Sequence, residues 1–243
     1  MSVQSEMLPS MPYPTTYPAV AADQHAADLA GRPCPRLTGP NELARRLAEL
    51  DEQYIRAQFV ELDELSASRD GGTQAVRKLM ADGRLPQPAY RLDDGTDMVA
   101  GDFFAPLDAA GGVEALPEWF RSRYMSAARR LGLPDGPAEA DEQWTEYLSG
   151  GYGVCLKRAT PESIAEKALY ITTIERLLVN PQPGDTSWAD ELRTTVDALA
   201  AIERPGALLD PPRWGGPMSP QWYGAYLRAY FPQAFTSPTG VAS

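Results

Sequence analysis

Residues 59–99, FVELDELSASRDGGTQAVRKLMADGRLPQPAYRLDDGTDMV, decide how the chain folds. Val76, Leu79 and Met80 give a short helix one buried face, with Thr73 as its expected N-cap and Gly83 at the place of a C-cap glycine. Ahead of it VELDEL forms another short helix, and Gly71-Gly72 supplies the turn between the two. Behind it Leu85-Pro86-Gln87-Pro88 forces extended backbone. Ala89 to Leu92 and Asp97 to Ala100 then make a hairpin around the Asp-Gly signal of Asp93-Asp94-Gly95-Thr96. Phe103, Phe104 and Leu107 are placed to close that hairpin onto the helices.

Helix, turn, helix and β-wing is the layout of a DNA reader, but the charge runs the other way. Over residues 55–105 six Arg and Lys face nine Asp and Glu, a net of −3, and the whole chain carries −11. Phosphate neutralisation supplies most non-specific DNA affinity, so a reader needs a basic domain or stripe. Only Arg77, Lys78 and Arg84 could make one.

The 243 residues, 43% hydrophobic, suffice for one good core, or one core and a small satellite. Two cysteines far apart, Cys34 and Cys155, do not make a disulfide framework or a zinc site. No stretch reads as a signal peptide or bilayer span, so the expectation is a reduced, cytoplasmic protein without membrane contact. The one histidine, His25, lies in a Pro/Ala-rich stretch. That removes triads, Cys-His pairs, HExxH zinc sites and di-iron Glu-x-x-His pairs together, and the expectation is no metal and no cofactor. Any catalysis falls to carboxylates, Arg, Lys, Tyr or Cys.

Residues 1–40 hold seven prolines and read as an extended or disordered arm that Tyr13 and Tyr17 could pin to a surface. From Asn41, Leu43, Leu47, Leu50, Tyr54 and Ile55 follow helical spacing through NELARRLAELDEQYIRAQFVELDELSAS, with a break expected inside it. Beyond Gly112 four helices are expected, Leu116 to Leu131, Ala140 to Leu148, Pro161 to Leu178 and Trp188 to Ile202, then an aromatic one from Pro220 to Tyr230. Thr160-Pro161 and Ser219-Pro220 mark two of the starts. The expected organisation is therefore an arm over 1–40, a helix-turn-helix with β-wing over 41–110, a helical domain over 111–232 and a flexible tail over 233–243. The fold class is mainly α, a small winged helix-turn-helix module with a β-hairpin packed on a C-terminal helical bundle.

Two resemblances accompany these residues. Over about 45 of them, VELDEL through AVRKLMADGRLPQP and the wing, the chain resembles the winged-helix headpiece of the MerR regulator and phage excisionase class. The resemblance implies that Thr73, Gln74, Arg77 and Lys78 face a major groove and that Arg91 lies on the wing. Asp82, Asp93, Asp94 and Asp97 flank them, where phosphates would be repelled. Over residues 50–230, GRLPQPAYRLDDGT, FRSRYMSAAR, LSGGYGVCLKRATPESIAEK and ERPGA are similar to an uncharacterised actinobacterial family known through its occurrence near natural-product biosynthesis genes. That resemblance implies secondary metabolism, including antibiotic biosynthesis, as the setting and transfers no catalytic residue.

Candidate chemistry sits in the second half. Trp119-Phe120-Arg121-Ser122-Arg123-Tyr124 opens a helix whose Arg121 and Arg123 could hold a carboxylate or phosphate through guanidinium forks, with Tyr124 beside them. The plainer reading pairs these arginines with surface carboxylates. In Ser149-Gly150-Gly151-Tyr152-Gly153-Val154-Cys155-Leu156 the glycines lack nucleotide-loop spacing. A turn there, with Tyr152, Val154 and Leu156 inward and Cys155 as a small core residue, competes with a Cys155 nucleophile activated by Lys157 or Arg158. Glu162 and Glu166 share a helix face and could act as acid and base or as metal ligands, or simply belong to a charged surface with Lys167, Glu175 and Arg176. Trp222, Tyr226 and Tyr230 recur every four residues as an aromatic stripe for a core, a partner or an apolar ligand.

Three functions fit. The first is a cofactor-independent tailoring or accessory enzyme acting on a carboxylated or acyl pathway intermediate. Arg121, Arg123, Tyr124, Trp222 and Tyr226 would bind it, and Glu166 and Tyr152 would serve catalysis. The second is a non-catalytic scaffold docking a protein partner. The third, which the acidic charge disfavours, is a MerR-like regulator that binds nucleic acid.

Overall fold

Gly71, rather than Thr73, opens the second helix of the quoted segment. Its φ of +75° suits glycine, and a Cβ there would meet that of Ala75 at 2.7 Å. Thr73 lies in the first turn instead and shares a 2.8 Å hydrogen bond with the Ser66 hydroxyl. The computed structural model describes residues 40–210 and 218–236. Residues 1–39 of the expected arm, with Tyr13, Tyr17, His25 and Cys34, lie outside them, as do Trp214 and residues 237–243. The chain divides into two compact units, 1–45 and 46–243. Of the first, only residues 40–45 are described, the opening turns of α1 (Pro40–Gln58).

α1 stops at Gln58, where the sequence led us to expect helix up to a break. Phe59 follows, and Val60–Glu61 form strand β1 before α2 (Leu62–Ser66) and α3 (Gly72–Ala81). Val76 and Met80 are the buried face of α3, and Gly83, at φ +67°, ends it as expected. The hairpin is β2 (Tyr90–Arg91) and β3 (Asp97–Val99), with Gly95 at φ +87° in the turn. β3 is central in a small antiparallel sheet ordered β1-β3-β2, pairing Val60 with Val99 and Tyr90 with Met98.

The rest of the described chain is helical. α4 (Ala105–Ala110) leads to α5 (Leu116–Leu131), α6 (Pro137–Ser149), α7 (Gly151–Cys155), α8 (Pro161–Val179) and α9 (Thr186–Ile202). Side-chain caps fix two starts: Ser163 N donates to Thr160 Oγ1 at 3.2 Å, and Ser187 N to Asp185 Oδ1 at 2.8 Å. α5 packs on α6 and α8, and α8 on α9. Phe120, fully buried, sits 5.2 Å from the Trp144 ring and 4.9 Å from that of Tyr147. Phe104, Phe103 and Leu107 join the same core and close the sheet onto the helices. A separate core joins α8 and α9 through Ile174, Trp188, Leu192 and Leu199.

The aromatic segment is not one α-helix. Pro220–Tyr226 is a π-helix, followed by α10 (Leu227–Tyr230) and α11 (Pro232–Phe235). Hydrogen bonding from i to i+5 widens the turn, so a four-residue recurrence no longer lines one face. Trp222 and Tyr226 still meet edge to face at 5.6 Å, but Tyr230 is 60% exposed. α11 takes in residues 233–235, the start of the expected tail, and buries Ala234. No helix among the described residues is long and apolar enough to cross a membrane.

Candidate functional site

The basic residues of 59–99 are occupied by the protein's own acids. Arg77 bonds Asp63 at 2.7 Å and Asp97 at 3.2 Å, and Arg91 bonds Asp97 at 2.7 Å. Lys78 pairs with Asp82 at 2.7 Å, Arg84 with Glu114, and Arg69 with Asp108. Asp97, in the central strand and 4% exposed, thus holds an arginine from α3 and one from the hairpin together.

The candidate residues of the second half separate into three places. Arg121 bonds Asp141 of α6 at 2.5 Å and lies over the Trp144 ring. Tyr152 donates to Gln143 of the same helix, and burial, with Glu146 beside it, raises its phenol pKa. Tyr124 is buried in the core between α5 and its neighbours. Arg123 pairs with Glu162 of α8 at 2.6 Å and stacks over Trp119. Glu166, one turn further along α8, is half-buried. Trp222 and Tyr226 belong to the π-helix, which packs on α9. α6 therefore gathers Arg121 and Tyr152, and α8 holds Glu166, while the aromatic pair stands elsewhere. Two cavities described below are lined by none of these seven.

The densest polar cluster lies on other residues. Lys167 Nζ is 2.9 Å from Glu203 Oε1, 2.9 Å from Ser219 Oγ and 3.0 Å from Cys155 Sγ. Ser219 in turn donates to Glu203. The carboxylate is 2% exposed and the lysine side chain 13%. An ammonium has three donors, and here each finds an acceptor, which is the condition for burying it. The four residues come from α7, α8, the end of α9 and the start of the π-helix, so the cluster ties four segments together. Burial pushes the Cys155 thiol pKa up against the pull of Lys167. Burial also works against the Lys167 charge, but Cys155 and Glu203 outweigh it and leave its pKa above the ordinary value. The thiol's cationic neighbour is thus Lys167. Lys157 turns instead to the carbonyls of Ala200 and Ala201 at the end of α9, where the helix dipole favours a cation.

Beside this cluster is a cavity of about 260 Å³, walled by Val196, Leu199, Ala200, Pro205 and Pro220, with Glu203, Lys157 and Arg204 as its charged groups. Arg204 donates to the carbonyls of Leu156, Lys157 and Gln58 and lies over the Phe59 ring at 4.8 Å. Glu203 is balanced by Lys167, so Lys157 and Arg204 leave the cavity positive. A second, smaller cavity, about 30 Å³, separates the sheet from Tyr147, Gly150 and Gly153. Among the described residues no group of three His, Cys, Asp or Glu converges as metal ligands.

Sequence spacing held a signal for Lys167 that its charge obscured. Ile164, Lys167, Ile171 and Ile174 recur at three and four residues, which places a lysine on the apolar face of α8. Glu203 and Ser219 gave no such sign, because each sits where a helix ends or begins. Residues 116–225 match a family of unknown function (DUF6058). That span contains Cys155, Lys167, Glu203, Ser219 and the larger cavity whole, and excludes the sheet. No curated protein and no solved structure matches the chain.

Proposed function

We propose that the protein is an accessory protein of natural-product biosynthesis that binds a small carboxylated or acyl intermediate in the cavity at the end of α9. The observation that carries this reading is the electrostatic one. In an acidic chain, Arg121 and Arg123 are taken by carboxylates, whereas Lys157 and Arg204 line an apolar cavity and bond only backbone carbonyls among the described residues. An apolar body with an anionic end suits that wall, and about 260 Å³, just below the roughly 300–1,000 Å³ typical of ligand sites, suits a small ligand. The anion-binding role expected of Arg121 and Arg123 thereby passes to Lys157 and Arg204.

The test is calorimetric titration with hexanoate and with hexylamine. Hexanoate should bind and the amine should not. Lys157→Gln, which removes one charge-assisted contact, should weaken hexanoate about tenfold or more. Arg121→Gln should leave it unchanged. Absence of hexanoate binding, equal binding of both probes, or an equal loss in Arg121→Gln overturns the site.

The order strand, helix, turn, helix, hairpin over residues 60–99 supports a winged helix here, and we take it as a structural or protein-docking use of that shape. Its Arg77, Lys78 and Arg91 must leave Asp63, Asp97 and Asp82 before any phosphate could have them. A gel shift with promoter DNA that disappears in Arg77→Ala would reverse this in favour of a regulator.

A further inference from the structure

The 3.0 Å approach of Lys167 Nζ to Cys155 Sγ sets an oxidisable sulfur against the lysine nitrogen, with Cys155 5% exposed. Lys167 is not free to turn away, because Glu203 and Ser219 hold it at 2.9 Å each. A direct S–N bond would demand a much closer approach from two side chains fixed on α7 and α8. A single oxygen atom placed between them spans the gap with little movement. Glu203 also lines the larger cavity, which brings small solutes to the edge of the cluster.

We propose that Cys155 and Lys167 are a modification site at which molecular oxygen forms a covalent N–O–S bridge between the two side chains. The step balances with one dioxygen per bridge. The O–O, S–H and one N–H bond of the neutral amine break, and the N–O and O–S bonds form. The second oxygen leaves as water with the thiol proton and one amine proton. Sulfur and nitrogen each give up two electrons, and dioxygen takes four. Glu203, 2.9 Å from Nζ, is the acceptor for the additional proton that the ammonium must lose to become that amine. Burial of the sulfur slows both hydrolysis and the further oxidation to sulfinic acid that an exposed sulfenic acid undergoes. The product joins α7 to α8 covalently and removes the positive charge beside Glu203. The site stands on the cluster geometry and is independent of what the cavity binds.

The experiment uses the full chain carrying Cys34→Ser, so that Cys155 is its one thiol. Samples kept under reductant and in air-saturated buffer are digested with trypsin and weighed. The expected product is peptide 131–157 joined to peptide 159–176 with Lys167 uncut, about 14 Da above the sum of the two. It should vanish on treatment with dithiothreitol and be absent when Cys155→Ala is added. Oxygen found only as additions to peptide 131–157, no change in mass, or a link about 2 Da below the sum, meaning a direct S–N bond, each overturns the oxygen bridge.

Discussion

Lys167→Met is expected to destabilise the protein by about 3–5 kcal/mol, because it strands Glu203 in the interior without its counter-charge. Methionine keeps the length and volume of the lysine stem, so the loss is electrostatic rather than a cavity. The carboxylate is 2% exposed, and its remaining partner in the cluster is the Ser219 hydroxyl. Adding Glu203→Leu removes the stranded charge and should recover most of the loss. Denaturant midpoints of the wild type, the single and the double variant measure this, and a loss under about 1 kcal/mol in the single would mean that Glu203 reaches water. The same cluster sets an alkaline limit. Both Cys155 and Lys167 have pKa values raised by folding, so each contributes stability that is complete below its unfolded value and is lost as pH rises through the folded one. The unfolded values are about 8.5 for cysteine and about 10.4 for lysine. Stability should therefore begin to fall near pH 8.5 and fall faster above pH 10, and Cys155→Ala should remove the first phase and shrink the second, since Cys155 helps to hold the Lys167 pKa up.

Gly150→Ala is expected to cost about 3 kcal/mol, through strain in the left-handed region together with a backbone collision. Gly150 has φ +88°, and a Cβ there would lie 2.7 Å from Gln87 O and 3.1 Å from Pro88 O. Those atoms cannot swing aside as a side chain can. Gln87 N donates to Leu148 O at 2.9 Å, and its side chain donates to Met80 O, so the extended segment before the hairpin is held against the end of α6. Gly153 is the control three residues away. A Cβ on it meets Ala89 Cβ at an ordinary 3.7 Å, and Gly153→Ala should change stability little. Thermal unfolding of the two variants side by side decides the matter, and equal midpoints would show that the Gln87 segment yields.

This contrast bears on what the sequence could reveal. The run SGGYGVC reads as a turn with Val154 and Leu156 inward; both are fully buried, but Gly151–Cys155 form the short helix α7 rather than a turn. Which glycine was indispensable was not legible, because that depends on a backbone 63 residues earlier in the chain lying within 3 Å of where a Cβ on Gly150 would stand. Helices with long periodic faces were readable to within a few residues, α5 at its stated limits. β1 was not, since two residues carry no alternation and their partners, Met98 and Val99, are remote. The π-helix was equally hidden, since PQWYGAY has good α-helical spacing and its widened turn is set by packing. Arg121 and Arg123 were correctly placed on one helix, but spacing within α5 says nothing of Asp141 and Glu162 on its neighbours. The cluster around Lys167 was lost for the same reason. Its four members lie on four segments, and only their meeting gives them meaning.

The segment just beyond α9 has a kinetic consequence. Asp51 of α1 accepts from Leu208 N at 2.6 Å and Leu209 N at 3.2 Å, across 157 and 158 residues of chain. Asp210, fully buried, takes the Tyr90 hydroxyl across 120, and Arg204 reaches Gln58 O across 146. The Asp51 and Arg204 contacts close loops that hold α2 to α9, and the Tyr90 contact one that holds α4 to α9, so a large entropy of closure must be met before any of these contacts forms. Residues 204–210 are thus the last strap to fasten when the chain folds and the first to open when it breathes. The amides of Leu208 and Leu209 should exchange with solvent ahead of those of Leu192 and Leu199 in the core. Protection equal to the core at those two amides would place the strap in the folding nucleus instead.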